Sequence, residues 1–438
     1  MPRGPRLLSG VLREPMYKIR EYGNGVRLVY RKMEGVSSVA LGFWVNAGSR
    51  NEPAATNGVS HFLEHLLFKG SKKYTGDQIK ESIEGLGGAL NAFTSEENTC
   101  YYAKFLGRHL KKVFGVLSDM VLHPVLKESD IEKERTVIIE EIKMYKDLPQ
   151  FQVAEVFDEL LWPHHPLGRN IAGSIETVKA ISSNILSAYH GQWYSPANIV
   201  IACAGALDEE LLEDAVERLY AGLKIAAVGR VEPFAAHHQG PQIKLVAKDI
   251  EQTHIHIGFP SLWRAHRDRF AQGLIHVILG GNMSSRLFNE VREKKGLAYE
   301  IASHVKRLRD TGVFFVHAGI DSRNLLEASR VIFQELDRIR QQKVSAAELR
   351  RAKDFLTAQS EMALDDTMEH MLWVGDSLMN LGFLQTKEEI RRQIERTTAA
   401  DILRVAEEMI SWRRLHVAAV GPGVDACQEK IRQMAAER

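Results

Sequence analysis

A chain of 438 residues exceeds one ordinary core and points to two domains of roughly 200 residues each. Hydrophobic residues at 45% and charged residues at 26% describe a soluble globular protein, and no apolar run approaches the ~18 residues of a membrane span. A formal net charge of +1 removes the electrostatic case for a nucleic-acid or membrane-surface partner. The three cysteines, Cys100, Cys203 and Cys427, are few, scattered and odd in number, which favours a reducing compartment over a disulfide framework.

The first 13 residues carry three arginines and no acid or long apolar core, which excludes a secretory signal. They read as a ragged extension, with an organellar presequence as the alternative. Asn24-Gly25 between alternating segments 17–22 and 26–32 predicts a hairpin. A strand over 39–45 follows, and then Asn57, the expected cap of a helix that carries His61-Phe62-Leu63-Glu64-His65. Further on, the pattern predicts a helix over 76–87, strands over 88–95 and 98–106, and two helices divided at His123-Pro124, the second spanning 128–145. A helix over 182–193 and a strand over 198–204 complete the first half. The stretch 222–241, poor in periodicity and containing Gly229, Pro233, Gly240 and Pro241, reads as a linker. Beyond it come strands over 243–247 and 253–259, a helix over 270–279, strands over 298–306 and 312–318, and helices over 325–341 and 346–363.

The second half repeats the first. Residues from 126 align with residues from 344 at an offset of about 218, which implies duplicated α+β domains. The expected fold is two such domains, each a mostly antiparallel sheet with helices packed on one face. The expected boundaries are 14–225, a linker over 226–240, and 241–438. In this alignment Glu141 meets Gln359 and Glu134 meets Ala352, and the histidine helix meets an apolar one. Only the first domain is then expected to bind a metal.

His61 and His65, four residues apart, lie one turn apart on one helix face, as a shared metal ion requires. Glu64 is placed to reach a water on that metal, in the H-x-x-E-H order of inverted zincins. With 17 histidines in the chain, the pentapeptide would arise by accident in about one such sequence in twenty. Two histidines leave a tetrahedral zinc short of a protein ligand, and the acid-rich helix over 128–145 offers several candidates that composition does not rank. His164-His165, between two prolines, and His254 with His256, alternating on a strand, read as ordinary loop and strand-face residues.

The segments "NAGSRNE" (46–52), "NGVSHFLEHLLFKG" (57–70), "GGALNAFTSEENTCYYAK" (87–104), "EKERTVIIEEI" (132–142), "HPLGRNIAG" (165–173) and "GGNMSSRLFNEVREKKGLAYE" (280–300) resemble the pitrilysin/insulinase family of zinc peptidases. Within that family the likeness is greatest to the catalytic, beta-type subunit of mitochondrial processing peptidase and its bacterial homologues, and it covers nearly the whole chain. It implies that Glu141, 76 residues after His65, is the third zinc ligand, although Glu140 is its rival on bare sequence. It also implies that Glu134 supports the site and that Glu64 is the general base on a zinc-bound water. Arg292 and Tyr299 of the second domain would stabilise the oxyanion. The strand over 88–95 would receive peptide as an added strand, at Asn91, Ala92, Phe93 and Thr94.

The function so implied is a zinc endopeptidase acting on unfolded or extended peptides, with one Zn2+ per chain. The alternative is a noncatalytic scaffold or partner subunit of the same family. A chain with two domains, where longer family members have four, implies a homodimer, or a heterodimer with a noncatalytic homologue. The resemblance implies a cytoplasmic, bacterial-type protein, with the mitochondrial matrix as the alternative. One departure is notable: of the acids that select a basic residue near the cut in processing peptidases, only Asp158 has a counterpart, the other position being Ala154 beside Glu155.

Overall fold

The computed structural model describes residues 16–220, 222–223, 229, 231–235 and 240–438. The N-terminal extension and most of the expected linker lie outside these residues. Eleven strands and fifteen α-helices occur among the described residues. In chain order they are β1 (Lys18–Glu21), β2 (Arg27–Lys32), β3 (Ser38–Val45), α1 (Val59–Leu67), α2 (Gly76–Ile83), β4 (Ala89–Thr94), β5 (Thr99–Leu106), α3 (Leu110–Leu122), α4 (Glu128–Asp147), α5 (Pro149–Leu161), α6 (Ile175–Ala180), α7 (Ser183–Trp193), β6 (Ile199–Gly205) and α8 (Glu209–Tyr220). The second half contributes β7 (Gln242–Ala247), β8 (Thr253–Pro260), α9 (Arg269–Gly280), β9 (Ala298–Arg307), β10 (Gly312–Ile320), α10 (Leu325–Gln341), α11 (Ala346–Ala363), α12 (Thr367–Asn380), α13 (Lys387–Arg396), α14 (Ala399–Met409), β11 (His416–Gly421) and α15 (Gln428–Ala436).

The strands form two sheets of one design. The first has the order β1-β2-β6-β3-β5-β4 and the second β7-β11-β8-β10-β9. Apart from the extra hairpin strand β1, each sheet has one parallel pair, β2 with β6 or β7 with β11, and is otherwise antiparallel. The fold is therefore duplicated α+β, as the internal repeat implies. The 218-residue offset carries α4 onto α11 and also carries α5 onto α12, a correspondence that extends beyond the aligned stretch.

The chain does not divide into its two halves. One compact unit takes in the chain up to Ile142, Arg169–Glu232 and Met362–Thr386; the other takes in Lys143–Gly168, Pro233–Glu361 and Lys387–Arg438. The consequence is a reciprocal exchange: α12, from late in the sequence, completes the first unit, and α5, from early in it, completes the second. In the first unit most helices cover one sheet face, burying Leu41, Phe43, Phe62, Phe114 and Ile138. The other face is capped by α12, whose Met371, Val374 and Leu378 lie on Val29, Ala40, Trp44 and Val200. In the second unit Val153, Val156, Phe157 and Leu161 of α5 cap the equivalent face against Val313, Ala418 and Val420.

Close approach of α12 depends on two glycines. A Cβ on Gly375 would stand 2.0 Å from Trp44 Nε1, and one on Gly42 would stand 2.4 Å from Met371 Sδ. The Trp44 ring, held edge-on to Phe93 at 5.5 Å, has no room to retreat. Gly375→Val is expected to cost about 1–3 kcal/mol of unfolding free energy by overpacking, read as a lowered urea midpoint; an unchanged midpoint would show that α12 slides freely on the sheet.

Candidate active site

Helix α1 is two and a half turns long, too short to be stable alone, so its position depends on what holds its ends. Its first residue follows Gly58, which has φ 100°. Asn57, the cap expected from sequence, does not cap it. The buried carboxylate of Glu52 does so instead, accepting from Gly58 N at 2.7 Å, Ser60 N at 2.8 Å and Asn57 Nδ2 at 2.8 Å. Burial pushes the Glu52 carboxyl pKa up, against the hydrogen bonds from Ser60, Asn57 and Gly58 that hold it down. A carboxylate at a helix N-terminus also opposes the helix dipole favourably. Glu52 is fixed in turn by Arg169, whose guanidinium donates to its backbone carbonyl at 2.7 Å. Beside it Arg50 and Glu97 form a buried ion pair at 2.8 Å that ties this turn to the β4–β5 connection.

From this helix His61 and His65 project together, their ring centroids 4.7 Å apart. Helix α4 presents Glu141 to both: its Oε2 is 3.7 Å from His61 Nε2 and 3.6 Å from His65 Nε2. Such separations exceed hydrogen bonds but suit ligands of one tetrahedral ion, whose metal–ligand bonds are about 2.0–2.2 Å. The rival acid Glu140 is exposed, whereas Glu141 is half-buried on the side of the histidines. Two turns before it, Glu134 Oε2 accepts from His65 Nδ1 at 3.1 Å, which leaves Nε2 with its lone pair free for a metal. Lys69, four residues after His65, holds the other Glu134 oxygen at 2.6 Å. Burial, reinforced by the neighbouring His65, lowers the His61 pKa to about 3, so this imidazole is neutral and able to ligate. Its Nδ1 is buried with no hydrogen-bond partner among the described residues. Two imidazoles and a carboxylate, one imidazole oriented by a second carboxylate, fit zinc.

Glu64 lies on the same helix, and burial raises its pKa. Thr94 Oγ1 donates to Glu64 Oε2 at 2.5 Å. Thr94 ends β4, the edge strand of the first sheet, which among the described residues pairs with β5 alone. Of the residues expected on the substrate strand, Asn91 is exposed and Ala92 half-buried, while Phe93 packs on Trp44 at 5.5 Å and Tyr102 at 6.1 Å.

Arg292 and Tyr299 belong to the second unit and lie together there, the guanidinium 5.6 Å from the Tyr299 ring centroid and 4.9 Å from that of Phe288. Each sits at a break in regular structure. Arg292 is in a π-helical turn, Phe288–Glu293. Tyr299 falls where the β9–β10 register shifts, between Ala298 opposite Ile320 and Glu300 opposite Gly319, and it is 73% exposed. Irregularities of both kinds recur where a side chain is re-aimed for function. Asp158, on α5 of the second unit, is paired with Lys306 at 3.2 Å.

Residues 27–174 match the family model described as insulinase (peptidase family M16), and residues 180–356 match that of the peptidase M16 inactive domain. The chain belongs to peptidase family M16. Among its relatives are proteins described as uncharacterized zinc proteases, from Streptomyces coelicolor (33% identical over 418 residues, 94% of this chain and 91% of that one) and Mycobacterium tuberculosis (35% over 401 residues, 91% of each). A Helicobacter pylori protease has the same fold, with a TM-score of 0.88 at 23% identity over 93% of this chain and 100% of that one. Family membership and these relatives make the protein a zinc metalloprotease in broad class.

Sequence reasoning missed Lys69, Glu52 and the Thr94–Glu64 bond. Only Lys69 left a signal, its position four residues after His65, just past the end of α1. Glu134→Ala is expected to leave the three ligand side chains in place and weaken zinc binding about 10–100-fold, measured by competition with a chromophoric chelator; undiminished affinity would remove Glu134 from the site.

Proposed function

We propose that the protein is a zinc endopeptidase that hydrolyses unfolded or extended peptides, with one zinc held by His61, His65 and Glu141. The observation that carries this reading is the convergence of the three donors beside Glu64, next to the edge strand of the sheet. When bound, zinc supplies a Lewis-acid centre that polarises the scissile carbonyl and acidifies water. A substrate pairs with the edge of β4 through its backbone, so affinity makes little demand on side chains. The Phe93 ring is engaged in packing, so the strand offers a peptide its backbone rather than that side chain. Glu64 takes the proton of the attacking water and delivers it to the leaving amine, with Thr94 holding one of its oxygens. Arg292 and Tyr299 donate to the developing oxyanion.

With Asp158 already engaged by Lys306, a strict requirement for a basic residue at the cut has little support, and general oligopeptidase action is favoured. We read the assembly as a homodimer, which requires a sedimentation mass of two chains, and the compartment as cytoplasmic. Bacterial relatives support the latter, and among the described residues no helix is long and apolar enough to cross a membrane. The alternative, a noncatalytic partner subunit, draws on the match of residues 180–356 to a domain described as inactive.

Glu64→Gln is expected to keep zinc while peptide hydrolysis falls about 10²–10⁴-fold, followed by mass-spectrometric mapping of cuts in a peptide library. Full cleavage by that variant would sink the role of Glu64, and a wild-type chain that cuts nothing would favour the partner subunit. Tyr299→Phe is expected to lower kcat by about 10²-fold or more with KM nearly unchanged; weakened binding at normal turnover would contradict an oxyanion role.

A further inference from the structure

The second unit carries a group of titratable side chains that the peptidase chemistry does not use. Along β8, Ile255, Ile257 and Phe259 face the main core, which turns His254 and His256 to the face that α5 caps. On β10 the same alternation turns His317 outward, opposite His256 in the register, and on β9 it turns out Glu300, opposite Gly319, and His304. The equivalent face of the first sheet is lined at its centre by Ala40, Trp44, Val200 and Ala202, and its charged side chains there, Arg31 and Lys104, meet His370 and Asp366 at α12.

Three of these side chains converge. His254 Nδ1 lies 3.3 Å from His317 Nε2, and Glu300 Oε1 lies 3.9 Å from the first nitrogen and 3.7 Å from the second. The carboxylate distances are too long for hydrogen bonds. They match the spacing expected between ligands of a common ion, close to the 3.6 and 3.7 Å found among His61, His65 and Glu141. A point equidistant from the three atoms lies about 2.1 Å from each, an ordinary zinc–imidazole bond length. The imidazole side chains are only 13% and 17% exposed, while Glu300 is 51% exposed, so an ion can enter from solvent at the carboxylate. Burial lowers the pKa of both histidines, that of His317 to about 4 with help from His254 and His304, which keeps the rings neutral as ligands must be.

We propose that His254, Glu300 and His317 form a second metal site, for a divalent first-row ion of the zinc type, separate from the one in the first unit. Two imidazoles and one carboxylate suit such an ion, with water in the fourth position. Its ligands come from three adjacent strands, β8, β9 and β10, so an ion there ties them across the face that α5 covers. Glu300 follows Tyr299 directly, so the ion also fixes the register shift from which Tyr299 projects.

Metal binding by a His61→Ala/His65→Ala chain tests the site without contribution from the first set. Titrated with Co2+, this chain is expected to take up one equivalent with the ligand-field absorption of a low-coordinate nitrogen–oxygen site, and its Tm is expected to rise. Adding His254→Gln or His317→Gln should weaken uptake by at least roughly a hundredfold and abolish the Tm shift, with circular dichroism showing each variant folded. Absence of Co2+ uptake by the His61→Ala/His65→Ala chain, or uptake indifferent to both further substitutions, would overturn the proposal. Should the double variant not fold, zinc content decides on the wild-type background: two ions in the wild type and one in His317→Gln support the site, and equal content in the two refutes it.

Discussion

The candidate catalytic centre depends on how a nine-residue helix is held still. Helix α1 carries both histidines and Glu64, yet it is too short to maintain itself, and a ligand set tolerates little displacement. Glu52 fixes one end by taking the helix's free N–H groups, and the carboxylate is itself positioned by Arg169. The other end is held through side chains, since Lys69 and His65 grip the two oxygens of Glu134 on α4. One turn of α1 and two turns of α4 are thereby locked in register, and Glu141 comes to both histidines as a result. The chain segments that bear the family resemblance are mostly the parts of this mounting: 46–52 supplies Arg50 and Glu52, 87–104 supplies Glu97 and Thr94, and 165–173 supplies Arg169.

Duplication explains the sheets, and exchange explains how they are covered. A mixed sheet with one apolar face left to water would be an aggregation hazard. Each sheet is capped by the helix that follows the long α4-type helix of the other half. Because α5 and α12 stand at the same 218-residue offset as α4 and α11, the exchange is a property of the repeat unit itself. Once α12 lies against Gly42 and Trp44, residues 362–386 cannot be removed without exposing Val29, Ala40 and Val200. Neither half of the sequence is then a self-sufficient fold, whatever its boundaries.

Much of this was legible from residue order. The Asn24-Gly25 hairpin, the strand and helix periods, the H-x-x-E-H spacing and the repeat all rest on local chemistry, and the corresponding elements lie within a few residues of expectation. Features set by distant partners were not legible. Asn57 has the composition of a cap, but a carboxylate five residues earlier reaches the helix first because the intervening turn folds back. Helices α5 and α12 left ordinary amphipathic patterns that do not say which sheet they cover. The π-helical turn at Arg292 and the register shift at Tyr299 have no sequence signature at all, since both are local compromises with neighbouring strands. His254 and His256 read as bland strand residues for a similar reason: their partners, His317 and Glu300, lie 63 and 46 residues away and meet them only through the antiparallel register.

The two His–His–Glu sets contrast in how their donors are assembled. In the first, both histidines come from one helix, so their spacing is fixed by the helical period and only the carboxylate has to be brought in. In the second, each donor comes from a different strand, so the spacing is fixed by hydrogen-bonded register, and a slip of one residue would turn a ligand to the opposite face. The helical set can place a reactive carboxylate, Glu64, between its ligands in sequence, because position i+3 lies on nearly the same face. A strand set has no such neighbour: the residues beside His254 and His317 face the core as Ile255, Val316 and Ala318. The first arrangement therefore lends itself to chemistry. The second would tie three adjacent strands.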